Sequence, residues 1–407
     1  MAKVFDVIVL GLGANGSSAL YHLSKTHQKV AGIDRYAPPH SFGSSHGQSR
    51  IIRQAYYENP VYVPFIRAAA RCWQEIEEVS GEKLFLKTGG LMLGAEDAAV
   101  VRGARLSAEV HGIDYEYLDY ADLRSRCPAF KAEAGTVGLL EKEAGVLFPE
   151  KCITAMLEQA QKNGAELYCN EAVIKIKAGH DAIHLTTPKG NYVTEKLIIS
   201  AGAWVGELVA GMTGEAGSTA GGTGSTAGEA GAPAGFHLPL TVARQPIYWF
   251  TNRNKQQQAA LLPDQMPVYI WEYRPGRMFY GFPDLGEGIK IGYHHTGRAI
   301  RPDELEQTVS REEIDDMKNI AAKYLNMEPV FHQASVCMYT NTPDEDFIID
   351  YHPVYKNILI ASPCSGHGFK FSSLTGKLLG ELAMGQTPSL DLSPFSINRA
   401  TLRKAGA

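Results

Sequence analysis

The feature that most constrains the fold of this chain is a glycine motif between a strand pattern and a helix pattern near the start of the sequence. Residues 4–10 (VFDVIVL) form an apolar run typical of a parallel strand buried on both faces, and Gly11, Gly13 and Gly16 of GLGANG follow directly. A helical pattern comes next, and a second strand, KVAGID, ends at Asp34. This order predicts an α/β chain with a Rossmann-like dinucleotide-binding domain.

The same motif indicates the kind of ligand. Glycines at these places let the backbone approach a pyrophosphate, and the carboxylate of Asp34 would bind the hydroxyls of an adenosine ribose. An acid here disfavours a 2′-phosphate, so the motif favours FAD or NAD over NADP.

A second strand, turn and helix pattern lies near the end of the sequence. The apolar strand NILIASP runs into CSGHGFKF, and Ser372 or Ser373 is placed to cap the helix that follows. A helix start carries unpaired amide donors and partial positive charge, so the turn is expected to face an electron-rich group. The amides expected to be available for this are those of Ser365, Gly366, His367 and Gly368.

Composition and charge exclude several classes of protein. The net charge of −5 and the pI near 6.2 give no basic surface for nucleic acid. No apolar run is long enough to cross a bilayer and the first residues show no signal pattern, so we expect a cytoplasmic protein without a membrane partner. The six cysteines lack metal-ligand spacing, which predicts no metal site and leaves each of them as a small buried side chain.

Three basic residues have an open role on pattern alone. Arg50 and Arg53 lie three apart in a polar loop, where they could share one side of a helical turn as solvated charges. Lys290 alternates with two isoleucines in GIKIG, and it faces solvent if the isoleucines face the core.

The remaining patterns predict two domains. A discontinuous FAD-binding domain is expected to comprise residues 1–84, 145–240 and 325–407, and a β-rich, aromatic substrate domain residues 85–144 and 241–324. Residues 211–235 are rich in Gly, Ala, Ser and Thr, and we expect them to form a flexible surface insertion.

Six segments together resemble the monomeric sarcosine oxidase family of flavoproteins, which includes N-methyltryptophan and pipecolate oxidases. They are GLGANG with Asp34, GSSHGQSRIIRQAY at 43–56, FYGFP at 279–283, GIKIGYH at 288–294, CMYTNTPDEDFIID at 337–350 and SGHGFKFSS at 365–373. The resemblance spans nearly the whole chain. It implies a glutathione-reductase-like FAD-binding domain with an inserted β-rich substrate domain, in a monomeric enzyme.

The resemblance also implies roles for individual residues. Cys337 matches the cysteine that carries FAD covalently through its 8α-methyl carbon, and Lys290 matches the lysine that activates oxygen. Arg53 and Lys370 match the clamp for the substrate carboxylate. Other matched positions near the flavin ring or the substrate amine are Tyr280, His294, His46 and Arg50. Other cofactor-binding positions are Arg35, Ser44, Gly366, His367, Gly368 and again Lys370.

The expected activity is FAD-dependent oxidation of a secondary amino acid, N-methyl or cyclic, to an imine that hydrolyses, with O₂ reduced to H₂O₂. Three alternatives stay open: a flavin dehydrogenase with another electron acceptor, an NAD-dependent dehydrogenase that uses only the first motif, and a non-catalytic flavin-binding subunit. Two departures from the family pattern, Cys364 before SGHG and the long segment 211–235, leave the size of the substrate open.

Overall fold

The structure is a computed structural model that describes residues 1–26, 28–214 and 235–405. The helices in these ranges are α1 (Ala14–Ser24), α2 (Val63–Ser80), α3 (Ala99–His111), α4 (Tyr120–Arg126), α5 (Pro149–Lys162), α6 (Val205–Ala210), α7 (Arg311–Tyr324), α8 (Ser372–Ala383) and α9 (Ala400–Ala405). Within the same ranges, none of the helices combines the length and the apolar character that a membrane crossing needs.

The strands are short and follow the chain in three groups. The first group is β1 (Lys3–Leu10), β2 (Val30–Ile33), β3 (Arg50–Ile52), β4 (Phe85–Lys87), β5 (Gly90–Ala95), β6 (Glu116–Leu118), β7 (Thr136–Glu141) and β8 (Gly145–Leu147). The second is β9 (Glu166–Tyr168), β10 (Lys175–Ala178), β11 (Ile183–Thr187), β12 (Gly190–Ile199) and β13 (Thr213–Gly214). The third is β14 (Thr241–Asn252), β15 (Val268–Arg274), β16 (Arg277–Phe282), β17 (Ile289–His294), β18 (Pro329–Asn341), β19 (Ile348–Tyr351) and β20 (Ile358–Ser362).

The chain divides into two units, each made of separate segments. The first unit comprises Met1–Ser45, Glu150–Val242 and Tyr339–Ala407, and the second comprises His46–Pro149 and Ala243–Met338. The predicted boundaries therefore differ from the observed ones, because residues 46–84 and 325–338 lie in the second unit. Strand pairing explains the difference: β3 pairs with β8, and β18 joins the sheet that contains β14.

The first unit contains the predicted Rossmann-like sheet. Strands β20, β12, β1, β2 and β9 lie side by side and parallel, and β10, β11 and β19 extend the sheet with antiparallel pairs. Strand β1 lies between β12 and β2, which explains why the run ending at Leu10 is almost entirely apolar. The edge strand β13 begins inside the predicted insertion 211–235, of which residues 215–234 lie outside the described part of the chain.

Helices α1 and α8 come from opposite ends of the sequence and pack closely in this unit. The Ser18 hydroxyl donates a hydrogen bond to the Ser373 carbonyl at 3.1 Å, and a Cβ on Gly376 would overlap the Ser18 backbone. The predicted serine cap of α8 is wrong. Phe371 occupies the N-cap position without a side-chain bond, and Ser372 and Ser373 are fully buried inside the helix, where close packing against α1 favours small side chains.

His22 on α1 lies in this helix contact, and we expect it to make the fold sensitive to acid. Its Nε2 lies 3.2 Å from the Ser373 carbonyl, and burial, with Lys25 and Lys377 nearby, lowers its pKa to about 3. The unfolded chain binds a proton near pH 6.5, so the stability that the neutral ring provides is complete above that pH and falls as the pH drops towards 3. At pH 5 the expected loss is about 2 kcal/mol relative to pH 7.

Urea unfolding at pH 7 and pH 5 measures this loss. In His22→Gln, which keeps an N–H donor but does not titrate, the difference between the two midpoints should shrink. The matched change His184→Gln, at an exposed histidine of β11, should leave the difference as in the original chain. An equal pH dependence in all three proteins would contradict the assignment.

The second unit is rich in β-structure, as predicted. Its larger sheet has the order β18-β14-β17-β16-β15-β5-β7-β6, and a smaller sheet has the order β3-β8-β4. Aromatic side chains of the larger sheet form its core with residues of α7, among them Phe250, Tyr269, Trp271 and Phe279. The segment predicted as a loop around Arg50 therefore contains a strand, β3, whose partner lies about 100 residues further along the chain.

Candidate functional site

The glycine motif of the first unit forms a tight turn between β1 and α1. Gly11 has φ +90°, and a Cβ on Gly16 would overlap the Gly11 carbonyl oxygen. A Cβ on Gly11 would lie 2.6 Å from the Cα of Ala201, in the turn after β12. These positions need glycine, and Gly13 leaves the start of α1 without a side chain. The turn is therefore a backbone cradle of the kind that accepts a pyrophosphate.

Asp34 closes the cradle from the end of β2. Its two oxygens accept hydrogen bonds from the Leu12 amide at 2.7 Å and the Tyr36 amide at 2.8 Å. Burial raises the pKa of the Asp34 carboxyl, while these two hydrogen bonds and His40, 3.7 Å away, act in the opposite direction. Two carboxylate oxygens offer about four acceptor positions, so capacity for ribose hydroxyls remains.

The other predicted nucleotide contacts lie beside this cradle. The Arg35 guanidinium lies 5.5 Å from the Tyr36 ring and 5.8 Å from the Trp204 ring. Ser44 is half-buried in the following loop, and its neighbour Ser45 accepts a hydrogen bond from the Ala14 amide at 3.3 Å. Ser45 was missed at the sequence level, although the doubled serine of GSSHG marks it.

The turn before α8 offers fewer amides than predicted. The Ser365 amide donates to the Thr340 carbonyl at 2.9 Å, and the His367 amide donates to the Cys364 carbonyl at 3.1 Å, so the prediction is wrong for these two. The amides of Gly366 and Gly368 make no hydrogen bond to any residue that the structure describes. The cause is the turn itself, which uses alternate amides to hold its own shape.

Side chains around this turn fix it in place. The His367 ring stacks on Phe347 at 4.8 Å and its Nε2 lies 3.0 Å from the Glu345 carbonyl. Lys370 is 6% exposed and donates to the His367 carbonyl at 2.7 Å, so a buried positive charge accompanies the turn. Burial raises the pKa of the Cys364 thiol to about 11, which keeps that side chain neutral.

Lys290 is buried, and the interpretation as a solvent-facing strand residue is wrong. It is 2% exposed, because both faces of β17 are covered at this point. Its ammonium donates to the carbonyls of Gly47 and Ser49 at 2.7 and 2.8 Å and to the Ser49 hydroxyl at 3.2 Å. The Phe282 ring centre lies 4.7 Å from Nζ. These contacts hold a fixed positive charge inside the second unit.

Arg50 and Cys337 lie together in the second unit. Arg50 donates through Nη1 to the Ser49 carbonyl at 2.8 Å, and its Nη2 lies 4.0 Å from the Cys337 sulfur. Cys337 is 5% exposed on β18. His46, which precedes the glycine that binds Lys290, is also buried. The resemblance placed these residues near the flavin ring, and the structure brings Arg50 and Cys337 together.

Arg53 is also buried, so neither the helical turn nor the solvated charge predicted from its spacing is correct. It follows β3 and is 2% exposed. Its Nη2 donates to both oxygens of Glu58 at 2.7 and 2.6 Å, and the rings of Tyr56 and Tyr57 lie 4.3 and 4.6 Å from its Cζ. The buried Nε has no hydrogen-bond partner among the described residues. Sequence reasoning missed Glu58, since an acid in a loop carries no pattern of its own.

Tyr280 and His294 lie on the neighbouring strands β16 and β17. Their ring centroids are 6.4 Å apart and perpendicular. Both side chains are half-buried, so each presents a polar group at the surface of the larger sheet. Among the described residues, no group of His, Cys, Asp and Glu side chains has the arrangement of a metal site.

Comparisons with known proteins agree with this arrangement. The sequence profile of the FAD dependent oxidoreductase family matches residues 6–382. Monomeric sarcosine oxidase of Streptomyces avermitilis is 33% identical over 404 residues, 98% of each chain. N-methyl-L-tryptophan oxidase of Salmonella heidelberg is 32% identical over 97% of this chain and 99% of its own.

A solved structure shows the same fold. NikD, an unusual amino acid oxidase, superimposes with a TM-score of 0.81 over 97% of this chain and 98% of its own, at 19% identity. The strand, glycine turn and acid of the first unit, the β-rich second unit and the two full-length relatives all agree. The chain belongs to the family of FAD dependent oxidoreductases that includes monomeric sarcosine oxidase and N-methyl-L-tryptophan oxidase.

Proposed function

We propose that this FAD-dependent oxidoreductase oxidises a secondary amino acid, N-methyl or cyclic, with O₂ as the electron acceptor. The observation that carries the proposal is the buried Arg53, whose Nε still needs an acceptor. A planar guanidinium in such a place suits a carboxylate, and full-length relatives that are named for amino acid substrates support this choice. Bound FAD would take two electrons from the C–N bond and pass them to O₂, which gives an imine and H₂O₂.

The chain's residues fit this cofactor. The glycine cradle admits only bare backbone at Gly11 and Gly16, and Asp34 retains acceptor positions for a ribose. The side-chain oxygen of Asn15, inside the motif, is buried and has no hydrogen-bond partner among the described residues. The amides of Gly366 and Gly368 would donate to the electron-rich part of the ring system.

Arg53 would hold the substrate carboxylate, and Lys370 would add a second positive charge. The carboxylate would accept from the Arg53 Nε, while Glu58 keeps one terminal nitrogen occupied. Lys370 acts as a point charge because its ammonium is already anchored to the His367 carbonyl. The two cations would fix the end of the substrate that does not react, which orients the amine.

No buried carboxylate or histidine of the second unit has been assigned as a general base, and none is needed for this chemistry. The substrate amine would react as the neutral base through its own lone pair, with Tyr280 and His294 beside it. Lys290 would supply positive charge where O₂ gains electrons, since an ammonium held by three oxygens cannot move away as the charge develops.

Peroxide release by the isolated chain tests the proposal. The purified protein, loaded with FAD, should release H₂O₂ with at least one of sarcosine, pipecolate and N-methyltryptophan. Reduction of the flavin by such a substrate without peroxide would favour a dehydrogenase with another acceptor. Neither reduction nor peroxide with any of the three would contradict an amino acid oxidase.

We further propose that FAD is attached through Cys337. The Arg50 guanidinium near the sulfur would stabilise negative charge on it, and a thiolate is the nucleophile that a thioether requires. Formation of the thioether replaces a C–H bond of the 8α-methyl group with a C–S bond, and O₂ takes up the two electrons and two protons as H₂O₂. Protein precipitated with acid should therefore stay yellow, whereas precipitated Cys337→Ser should be colourless.

The control for this prediction is another buried cysteine. Cys152 on α5 is fully buried, and Cys152→Ser should give a yellow precipitate. A yellow precipitate from Cys337→Ser would reject Cys337 as the attachment point.

A further inference from the structure

Glu141, the last residue of β7, is a buried carboxylate with a specific set of partners. It is 2% exposed, and both of its oxygens accept from the Gln54 amide at 2.9 Å. One of them also accepts from the Ala55 amide at 2.8 Å. These are the two backbone amides that directly follow Arg53. A carboxylate from a distant strand thus binds the backbone next to the arginine that we assign to the substrate.

The same short segment is connected to the Arg53 side chain. Nη1 of Arg53 donates to the Ala55 carbonyl at 3.2 Å, so Ala55 is bound by Glu141 through its amide and by Arg53 through its oxygen. Any shift of the peptide around Ala55 would therefore move an anchor of the guanidinium. The side chain has few alternative positions, because Tyr56 and Tyr57 lie close to the guanidinium.

A second tether reaches this segment from the helices. The side-chain oxygen of Gln54 accepts from Nε of Arg67 on α2 at 3.2 Å, and Arg67 also donates to the His111 carbonyl of α3 at 3.0 Å. Gln54 is thus held through its amide by β7 and through its side chain by α2. Two independent tethers leave the residue after Arg53 little freedom.

Burial of a carboxylate without a direct ion pair is expensive, so Glu141 needs a reason to be there. Burial raises its pKa, and the hydrogen bonds from Ala55 and Gln54 oppose that shift. The interactions that offset the cost are those with the backbone after Arg53. Glu141 therefore contributes mainly to the geometry of this one segment.

We propose that Glu141 is a positioning residue that sets the angle at which Arg53 presents its Nε edge to the substrate carboxylate. This inference rests on the proposed role of Arg53 and deepens it. Glu141 touches neither substrate nor cofactor in this scheme. It acts through the Gln54 and Ala55 amides, and its loss lets the guanidinium move away from the productive geometry.

The test uses the FAD-loaded enzyme and acetate as the probe. Acetate contains the carboxylate but cannot be oxidised as an amine, and its binding can be followed by the change in flavin absorbance, without turnover. Glu141→Gln replaces one acceptor oxygen with an N–H group that opposes an amide donor. We expect it to raise the Kd for acetate between about tenfold and about 100-fold, since small misplacements of a binding group have effects of this size.

Glu272 provides the matched control. It is another buried glutamate of the second unit, 7% exposed, and it accepts from the backbone amides of Val100 and Gly276 at 3.1 and 3.0 Å. Glu272→Gln should lower the melting temperature in the same way as Glu141→Gln and leave the Kd for acetate unchanged. Equal Kd values in the original chain and in Glu141→Gln would overturn the inference.

A double-mutant cycle separates positioning from general damage. Glu141→Asp keeps the charge but shortens its reach, and it serves also if Glu141→Gln does not fold. Combined with Arg53→Lys, it should weaken acetate binding no further than Arg53→Lys does alone, because it acts only through Arg53. Additive losses would overturn the inference. Unchanged acetate binding in Arg53→Lys itself would overturn the proposed carboxylate site, a failure that the cycle distinguishes from failure of Glu141 alone.

Discussion

Replacing Lys290 with methionine is expected to slow the reaction of the reduced enzyme with O₂ by about 100- to 1,000-fold. Reduction by substrate in the absence of O₂ should continue at nearly its original rate, because the ammonium is assigned to the oxygen step alone. The physical reason is that electron transfer to O₂ creates negative charge, and Lys290 is a positive charge fixed by Gly47 and Ser49. Methionine fills a similar volume without the charge.

Stopped-flow absorbance measures the two half-reactions separately. Lys131 of the second unit offers a control, since its ammonium donates to the Ala322 carbonyl at 2.9 Å on an exposed part of the surface. Lys131→Met should change neither half-reaction. If Lys290→Met reacts with O₂ as fast as the original enzyme, the oxygen role of Lys290 is wrong and the dehydrogenase alternative gains support.

The second large effect is expected at Arg53. Arg53→Met should lower kcat/KM for an N-methyl amino acid by roughly 30- to 5,000-fold, the range found when one partner of a buried charge pair is removed. Both the substrate carboxylate and Glu58 would lose their cation. The loss should appear mainly in KM and in the Kd of acetate if the arginine binds the substrate equally well before and during the reaction.

Arg244 supplies the matched control for this change. It is 5% exposed in the same unit and pairs with Glu313 at 2.6 Å, so its loss also breaks a buried ion pair. Arg244→Met should reduce stability while leaving KM unchanged. Steady-state kinetics with varied substrate compare the two variants, and equal KM effects would mean that Arg53 acts only in the fold.

The parts of the site that could be predicted from sequence are those built from neighbouring residues. The turn at Gly11 and Gly16 and the acid Asp34 belong to one strand, helix and strand unit, so their spacing alone determines their arrangement. The β-rich second unit was also predictable, because alternation and aromatic content are local properties of its strands.

Burial of the charged residues could not be predicted from the same patterns. Alternation in β17 shows that Lys290 opposes Ile289 and Ile291, but it does not show whether a second layer covers that face. Spacing placed Arg53 on a helical turn because the partner of β3 is a remote strand. Glu58 and Glu141 were missed for a related reason, since their partners are specified by tertiary structure and not by sequence distance.

The contact between α1 and α8 has a consequence for how the protein is made. The ribosome completes the glycine turn and α1 within the first 24 residues, but Ser18 and His22 wait for Ser373, which is translated almost last. Strand β1 likewise waits for β12 at residues 190–199. The first unit can therefore close only when synthesis is nearly complete, so a nascent chain must be protected with its central strand uncovered, and cofactor loading belongs to the finished polypeptide.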